Sequence, residues 1–267
     1  MKIAVAGGDE RMLTTASRLE AAGYECIRIA LGKESLPPEE IPEDVAAVIL
    51  PLPYAKGGRL CSPMSDKQYD VGEILKAGNK STVFFGGGLP SECENYVDYS
   101  ASESFRLKNA VATAEGAILL ALSGRKRTLF KSSALVIGYG RIGAYLTRLL
   151  LAFGAKVTVA ARREESRLLA ELGSATPVPI DSLPDAVADA DLIFNTVPYP
   201  LVSGDALSKA KNDALIIELA SPPGGFESPC EGMIKASGLP GRFFPTSAGD
   251  TVFEAIYPIL CERGITP

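Results

Sequence analysis

Histidine is absent from this chain of 267 residues. Histidine is the side chain most often used for proton transfer near neutral pH, so a mechanism must rely on other acids and bases. The five cysteines are scattered (Cys26, Cys61, Cys93, Cys230 and Cys261) and form no Cys-x-x-Cys pair. This pattern is typical of reduced thiols in a cytoplasm, and we expect neither disulfides nor a metal site.

Positive charge and long apolar runs are also scarce. The net charge of −5 at pH 7 and the pI near 5.1 argue against nucleic acid and against an anionic membrane as partners. No apolar run approaches the length that spans a bilayer, and residues 3–6 are strand-like rather than part of a signal sequence. We therefore expect a cytoplasmic protein with no membrane partner.

Residues 134–163 carry the most informative pattern. A strand-like run at 135–137 enters Gly138-x-Gly140-x-x-Gly143, and a helical pattern and a second strand at 156–160 follow. In a dinucleotide-binding βαβ unit these glycines allow the tight turn, the approach of a pyrophosphate and close packing of helix on strand. The pyrophosphate then lies on free N–H groups at the helix start. We assign to the cofactor Gly138, Gly140, Arg141, Ile142 and Gly143; the alternative is a glycine-rich turn that binds nothing.

The position after the second strand distinguishes NADP from NAD. NAD-binding units usually have Asp or Glu there, which accepts from the ribose 2′-hydroxyl. This chain has Ala161, followed by Arg162 and Arg163. No carboxylate would repel a 2′-phosphate, and two guanidinium groups would match it, so we predict NADP. The alternative is a solvated helix start, in which both arginines lie beside Glu164 and Glu165.

The remainder of the chain alternates between strand and helix patterns, which predicts two Rossmann-like α/β domains with parallel sheets. We place the first domain at residues 1–122, completed by 248–267, and the NADP-binding domain at 123–247. The C-terminal helix is expected to return to the N-terminal domain. The predicted strands are at residues 2–6, 24–30, 45–50, 81–85, 191–195, 214–219 and 242–244, and the other predicted helices are at 11–22, 68–77, 104–122 and 248–261.

Two strand ends of the second domain are further cofactor candidates, because ligands of doubly wound sheets bind at the carboxyl ends of strands. These candidates are Asn195, Thr196, Val197, Pro198, Ala220 and Ser221. We expect Asn195 and Thr196 to orient the nicotinamide end. The alternative for Asn195 is a turn former at the end of a strand.

Short matches in one order extend over nearly the full length of the chain. They are Gly7-Gly-Asp9-x-Arg11, Lys108-Asn109 to Glu115-Gly116, residues 138–143, Ala161-Arg162, residues 195–198, Ala220-Ser221 with 223–225, residues 238–241 and Ala248-Gly249. With these motifs the chain resembles the family of the dipicolinate synthase A subunits of spore-forming bacteria. The resemblance implies oxidation of dihydrodipicolinate, a small dicarboxylate, with NADP in the mother cell during sporulation. It also implies a flavoprotein-like B subunit of dipicolinate synthase as partner, and we expect a homo-oligomer.

Two departures from the family pattern remove cations. Pro222 stands where the family has arginine, and Thr246 stands where it has lysine. Paired cations would suit a dicarboxylate, so these departures bear on the identity of the substrate.

An aromatising oxidation of that substrate needs a base and cations near the nicotinamide. The helix at 104–122, with an apolar face of Leu107, Val111, Ala114, Ile118 and Leu122, supplies the candidates, and its polar face is expected to line a cleft between the domains. Lys108 and Glu115 are seven positions apart and share one stripe, whereas Arg106 projects nearly opposite to Lys108, beside Asn109 and Thr113. Glu115 or Lys108 is the candidate base, and Arg106, Lys108 or Arg11 would hold carboxylates. We favour Lys108 with Glu115 as the catalytic pair, and Arg106 is the alternative on the other stripe.

Two other functions are compatible with the glycine motif. An alanine or 2-hydroxyacid dehydrogenase shares the layout, but such enzymes usually move a proton with histidine, which this chain lacks. A non-catalytic or regulatory NADP-binding subunit, whose partner carries the substrate chemistry, would need the same glycine motif.

Overall fold

The computed structural model describes residues 1–32, 35–88, 95–228, 230 and 232–267. It consists of two compact units, one of Met1–Asn109 with Pro240–Pro267 and the other of Ala110–Leu239. Each unit contains a parallel β-sheet, and the expected fold class is confirmed. The borders of the units lie at 109/110 and 239/240. The boundaries of the folding domains at 122/123 and 247/248 stay a prediction.

The helices and strands lie as follows in the described residues. The strands are β1 (Lys2–Ala6), β2 (Glu25–Ile29), β3 (Ala47–Ile49), β4 (Ala55–Lys56), β5 (Arg59–Leu60), β6 (Val83–Gly86), β7 (Tyr96–Asp98), β8 (Ser133–Ile137), β9 (Lys156–Ala160), β10 (Thr176–Val178), β11 (Leu192–Asn195), β12 (Leu215–Glu218) and β13 (Ile234–Lys235). The helices are α1 (Glu10–Ala21), α2 (Val71–Ile74), α3 (Glu103–Ser123), α4 (Arg141–Ala152), α5 (Glu164–Leu172), α6 (Leu183–Asp189), α7 (Gly204–Ser208), α8 (Leu239–Phe243) and α9 (Pro245–Glu262).

The sheet of the first unit has the strand order β2-β1-β3-β6-β7, and all of its pairs are parallel. Successive side chains of a strand point to opposite faces. Ile3 and Val5 of β1 therefore belong to one apolar cluster, and Ala4 and Ala6 belong to another on the opposite face. Because both faces are covered, the strands can be apolar throughout, as is usual in parallel sheets.

Helix α9 covers one face of this sheet. Val252, Ile256 and Leu260 are spaced by four residues, so they lie on one side of the helix. They are buried in the cluster that contains Ile3 and Val5. The expected return of the C-terminal helix to the N-terminal part of the chain is confirmed.

The sheet of the second unit has the order β10-β9-β8-β11-β12-β13, again with parallel pairs. Strand β8, helix α4 and strand β9 form the βαβ unit that the glycine motif predicts. Strands β8 and β11 are neighbours, so the ends of these strands lie side by side. The motif at Gly138 and the loop after Asn195 are thereby brought to the same edge of the sheet.

Three predicted elements are wrong in type, length or face. Residues 242–244 form no strand: Arg242 and Phe243 belong to α8, which has Pro240 in its first turn, where proline favours a helix. The helix expected at 68–77 is restricted to Val71–Ile74 and is capped by the Asp70 side chain. On α3, Leu107 and Leu122 are 50% and 44% exposed.

The buried side of α3 consists mainly of small residues. Ala110, Ala114, Ala117 and Ala121 are all buried, and Thr113, predicted on the polar face, is buried with them. The predicted face relied on large apolar side chains, whereas alanines, which permit close packing, form much of the buried side, and Leu107, Leu119 and Leu122 are exposed.

Candidate functional site

The glycine turn after β8 has the geometry that its sequence predicts. Gly138 has φ +94°, and a Cβ there would lie 2.6 Å from both Thr196 Oγ1 and Val197 Cγ2. A Cβ on Gly143 would lie 2.2 Å from the carbonyl oxygen of Gly138. Glycine is therefore required at Gly138 for the turn and at Gly143 for the packing of α4 against it.

The third glycine of the motif faces open space. Gly140 is the N-cap of α4, and a Cβ there would meet nothing within 4 Å. It has no side chain to cap the helix, and the first turn, with Arg141 and Ile142, contains no acidic residue. Free N–H groups at a helix start attract anions, so the turn fits the pyrophosphate of a dinucleotide.

The strand next to the glycine turn ends in a loop without a carboxylate. Ala161, which directly follows β9, is 3% exposed, and its N–H donates to Val178 O at 3.1 Å. Arg167 donates to the carbonyl oxygens of Ala161 at 3.0 Å and Arg162 at 2.7 Å. This third arginine, which the sequence pattern did not single out, fixes the loop through its backbone.

The side chains of Arg162 and Arg163 point to solvent. Both residues are exposed, and among the described residues neither forms an ion pair. Arg163 is also the N-cap of α5, whose first turn contains Glu164 and Glu165. The positions are compatible with a 2′-phosphate site and with the solvated helix start that was the alternative.

Asn195 is completely buried at the end of β11. Its Nδ2 donates to Val197 O at 3.0 Å and to Glu218 Oε1 at 2.7 Å, while its Oδ1 accepts from Val197 N at 3.1 Å. Both N–H bonds of the amide are used within the protein. Asn195 therefore positions the loop that begins at Thr196, and in this arrangement it has no N–H left for a nicotinamide.

Glu218, at the end of β12, was not among the predicted site residues. Its side chain is buried and accepts from Asn195 Nδ2, from Ala220 N at 2.8 Å and from Gly225 N at 2.8 Å. A carboxylate with three donors can be buried at a tolerable cost. A signal existed in the sequence, since Glu218 is an acidic residue at the end of an apolar strand run.

The remaining cofactor candidates lie along these two loops. Thr196 Oγ1 donates to Ile137 O at 2.8 Å and lies against the glycine turn. Val197 and Ala220 are partly buried, whereas Pro198 and Ser221 are exposed. Thr196 and Val197 are thereby brought next to Gly138.

The predicted catalytic residues lie on α3 and are all exposed. Lys108 Nζ forms an ion pair with Glu254 of α9, and both side chains are about half exposed (48% and 50%). Arg106 Nε donates to Ser100 O at 2.9 Å. Lys108 and Glu115 share a continuous helix and a stripe, but the ammonium group of Lys108 is held by a different carboxylate.

Cysteine chemistry and metal binding have little support in the described part of the chain. Cys26, Cys61, Cys230 and Cys261 are free thiols, and Cys93 lies outside the described residues. Burial raises the pKa of Cys26 to about 12, so this thiol is not reactive. In the same ranges no cluster of three His, Cys, Asp or Glu side chains is arranged for a metal, and no helix is long and apolar enough to cross a membrane.

The βαβ unit, its glycine turn and the open start of α4 define the class of protein: a nicotinamide dinucleotide-binding fold of the dehydrogenase type. Comparison with known families agrees with this assignment. Residues 111–221 match the NAD-binding domain of the D-isomer specific 2-hydroxyacid dehydrogenases. Residues 2–107 match the N-terminal domain of the A subunit of dipicolinate synthase.

The similarity to the dipicolinate synthase A subunits extends over the full length. The A subunit from Bacillus subtilis is 29% identical, over 98% of this chain and 96% of its own length. A crystal structure of the B. subtilis protein has a TM-score of 0.84 at 28% identity, covering 99% of this chain and 97% of that one. The crystal structure of the Bacillus halodurans A subunit has a TM-score of 0.88 at 23% identity and covers 97% of both chains. The chain is similar over its full length to the dipicolinate synthase A subunits, and the resemblance found in its sequence is confirmed.

Proposed function

We propose that this protein oxidises dihydrodipicolinate to dipicolinate with NADP, as the A subunit of a dipicolinate synthase in the mother cell during sporulation. The observation that carries the proposal is the open start of α4 at Gly140, in a chain similar over its length to the dipicolinate synthase A subunits. A flavoprotein-like B subunit would be its partner, and the protein would be a homo-oligomer.

The cofactor would be held by backbone and by charge. The N–H groups at the start of α4 would bind the pyrophosphate, and Gly138 and Gly143 give this backbone its shape. Arg162 and Arg163 would pair with the 2′-phosphate, which supports NADP over NAD. The buried pair of Asn195 and Glu218 would hold the two neighbouring loops in place.

The reaction removes a hydride and a proton from the dihydropyridine ring. The oxidised nicotinamide, when bound, supplies the hydride acceptor, and a side chain must take the proton. Lys108 would anchor a substrate carboxylate and Glu115 would take the ring proton. Formation of an aromatic ring favours the products, so a carboxylate is a sufficient base.

Turnover tests this proposal directly. Dihydrodipicolinate and NADP are supplied to the chain alone and to the chain with a B subunit, and NADPH formation is followed by absorbance. Lys108→Ala and Glu115→Gln should each lower turnover at least tenfold while the affinity for NADP is unchanged. Normal turnover in both variants, with a loss in Arg106→Ala, would place the catalytic groups on the opposite stripe of α3.

A cofactor-binding subunit without its own substrate chemistry is the second candidate. The ion pair of Lys108 with Glu254 favours it, because a lysine held by a carboxylate is less available to a substrate. In that case the chain would bind NADP but turn over only with the B subunit, and Glu115→Gln would leave the rate of the complex unchanged.

A further inference from the structure

A cavity with a basic lining lies within the unit of Met1–Asn109 and Pro240–Pro267. Its volume is about 610 Å³, and Gly8 and Pro51 place it at the carboxyl ends of β1 and β3. The basic side chains of the lining are Arg11, Lys56, Arg59 and Lys67. This is the edge of a parallel sheet where ligands usually bind, and the volume suits a small molecule.

The hairpin of β4 and β5 brings two of these cations to the cavity. It packs against the turn after β1, where Gly8 N donates to Cys61 O at 2.6 Å. A Cβ on Gly7 would lie 2.8 Å from the side chain of Leu60, so the hairpin can come this close only to a glycine. The Gly7-Gly8 pair, which is one of the family motifs in the sequence, therefore helps to build the cavity wall.

Lys56 and Arg59 are direct cross-strand partners in this hairpin. Side chains at such positions lie on the same face, and two like charges there repel each other. Asp70 is the other cross-strand neighbour of Arg59, but its carboxylate accepts from Gly72 N at 2.8 Å. Neither Lys56 nor Arg59 forms an ion pair among the residues that the structure describes.

Asp9 is the acidic side chain of the described lining, and it is already engaged. Its Oδ1 accepts from Arg11 Nε at 2.7 Å, and its Oδ2 accepts from Arg11 Nη2 at 3.0 Å. Burial acts to raise the pKa of Asp9, but the hydrogen bonds and charge of Arg11 lower it below its usual value. Asp9 therefore offsets Arg11, and the charges of Lys56, Arg59 and Lys67 are left without a counterion in the described lining.

We propose that this cavity binds a small dicarboxylate, with Lys56, Arg59 and Lys67 as the groups that pair with its carboxylates. Two negative charges would offset the repulsion between Lys56 and Arg59, which a neutral ligand would not do. The inference rests on the proposed function, because dihydrodipicolinate is such a dicarboxylate, and it assigns the carboxylates to these cations in place of Lys108, whose ammonium group pairs with Glu254.

Binding of the stable product tests this site without turnover. Calorimetric titration of the full chain with dipicolinate (pyridine-2,6-dicarboxylate) should give a tighter complex than picolinate, which has one carboxylate. The double variant Lys56→Ala/Arg59→Ala should lower the affinity for dipicolinate at least tenfold. Lys80→Ala removes an exposed lysine of the same unit outside the lining and should leave the affinity unchanged.

Urea unfolding monitored by circular dichroism shows whether the mutated unit is folded in each variant, and titration with NADP shows whether the other unit, which contains the glycine turn, is unchanged. Equal dipicolinate affinity in the wild type and the double variant would overturn the inference, and so would failure of the wild type to bind dipicolinate. Wild-type binding that the double variant loses, without turnover of dihydrodipicolinate, would support the site and contradict the proposed function. Normal turnover with an unchanged KM in the double variant would support the proposed function and contradict the site.

Discussion

The three arginines Arg162, Arg163 and Arg167, which follow β9, have different roles in the structure, although nothing in the sequence distinguishes them. The guanidinium group of Arg167 donates to the carbonyl oxygens of Ala161 and Arg162 and so fixes the loop. Arg162 and Arg163 remain exposed and form no ion pair in the described part of the chain. A fixed backbone that carries exposed cations is well suited to a phosphate whose position is set by the rest of the cofactor.

The first prediction concerns Arg162. Arg162→Ala should weaken NADP binding about ten- to a hundredfold, because a charge-assisted contact contributes roughly 1.5–3 kcal/mol. The affinity for NAD, which lacks the 2′-phosphate, should not change. Fluorescence titration with both cofactors measures this, and Arg127→Ala, an exposed arginine on another loop, is the control. Equal losses for NADP and NAD would mean that Arg162 does not recognise the 2′-phosphate.

Asn195 and Glu218 show how a residue at a ligand-binding edge can act without touching the ligand. Their hydrogen bond joins the ends of β11 and β12, and a Cβ on Gly225 would lie 2.2 Å from Asn195 Nδ2. Removing one partner would leave a buried polar group unsatisfied, which costs about 1–3 kcal/mol. The strand-end position of Asn195 suggested a ligand contact, and only the contacts of its amide reveal the other role.

Among the elements, the turn before α4 needs glycine for two reasons. One is close packing of the chain, the other is space for a ligand at the helix start, and the motif alone does not show which glycine serves which. Gly138 and Gly143 are needed for folding, because a Cβ on either would collide with neighbouring atoms. A Cβ on Gly140 would lie in open space, so glycine is required at this position only if a ligand occupies that space.

The second prediction uses this difference. Gly140→Val should fold with a stability within about 1 kcal/mol of the wild type, the usual cost at an N-cap, but should abolish NADP binding. Gly143→Ala should lower the free energy of unfolding by more than about 1 kcal/mol, because overpacking forces the backbone to shift. Urea unfolding and NADP titration of both variants are the measurements. A Gly140→Val variant that binds NADP normally would show that the turn is only structural.

The long helix α3 and the short helix α8 show the limits of pattern reading for elements. The helix expected at 104–122 is present as Glu103–Ser123, because a long stretch rich in alanine and leucine favours a helix whichever side it buries. Residues 242–244 resembled a strand since two aromatic residues are adjacent, but the proline at position 240 favours a helical turn. Short apolar runs are ambiguous between strand and helix, and tertiary packing decides them.

At the scale of the whole molecule, the C-terminal helix completes a core that begins at the N-terminus. Ile256 and Leu260 are fully buried against residues of β1 and α1. Gly249 also allows close packing, since a Cβ there would lie 2.4 Å from Arg11 O. The first unit therefore cannot bury this apolar surface without α9.

The third prediction tests this dependence. Ile256→Ala should lower the free energy of unfolding of the first unit by about 2–5 kcal/mol, as is typical when a large apolar side chain is removed from a core. Glu262→Ala, at the exposed end of the same helix, should change it by less than about 0.5 kcal/mol. Urea unfolding monitored by circular dichroism compares the two. A similar small effect in both variants would mean that α9 contributes little to this core.

Features that depend on local rules can be predicted from the amino-acid sequence. The glycine motif, the strands at Lys2–Ala6 and Lys156–Ala160 and the two-sheet α/β plan follow from turn geometry and from apolar periodicity, which act over a few residues. Short edge strands such as Thr176–Val178 were missed, because they contain few apolar residues and are stabilised by pairing with a neighbour.

Contacts between side chains that are far apart in the chain depend on the packing of the folded protein. The ion pair of Lys108 with Glu254 and the burial of Asn195 against Glu218 join residues from different elements. No local pattern predicts such contacts, because hydrogen bonds and charges are satisfied by whichever group the fold brings near. The chemistry of each candidate residue is encoded locally, whereas its availability for a ligand depends on the packing of the whole chain.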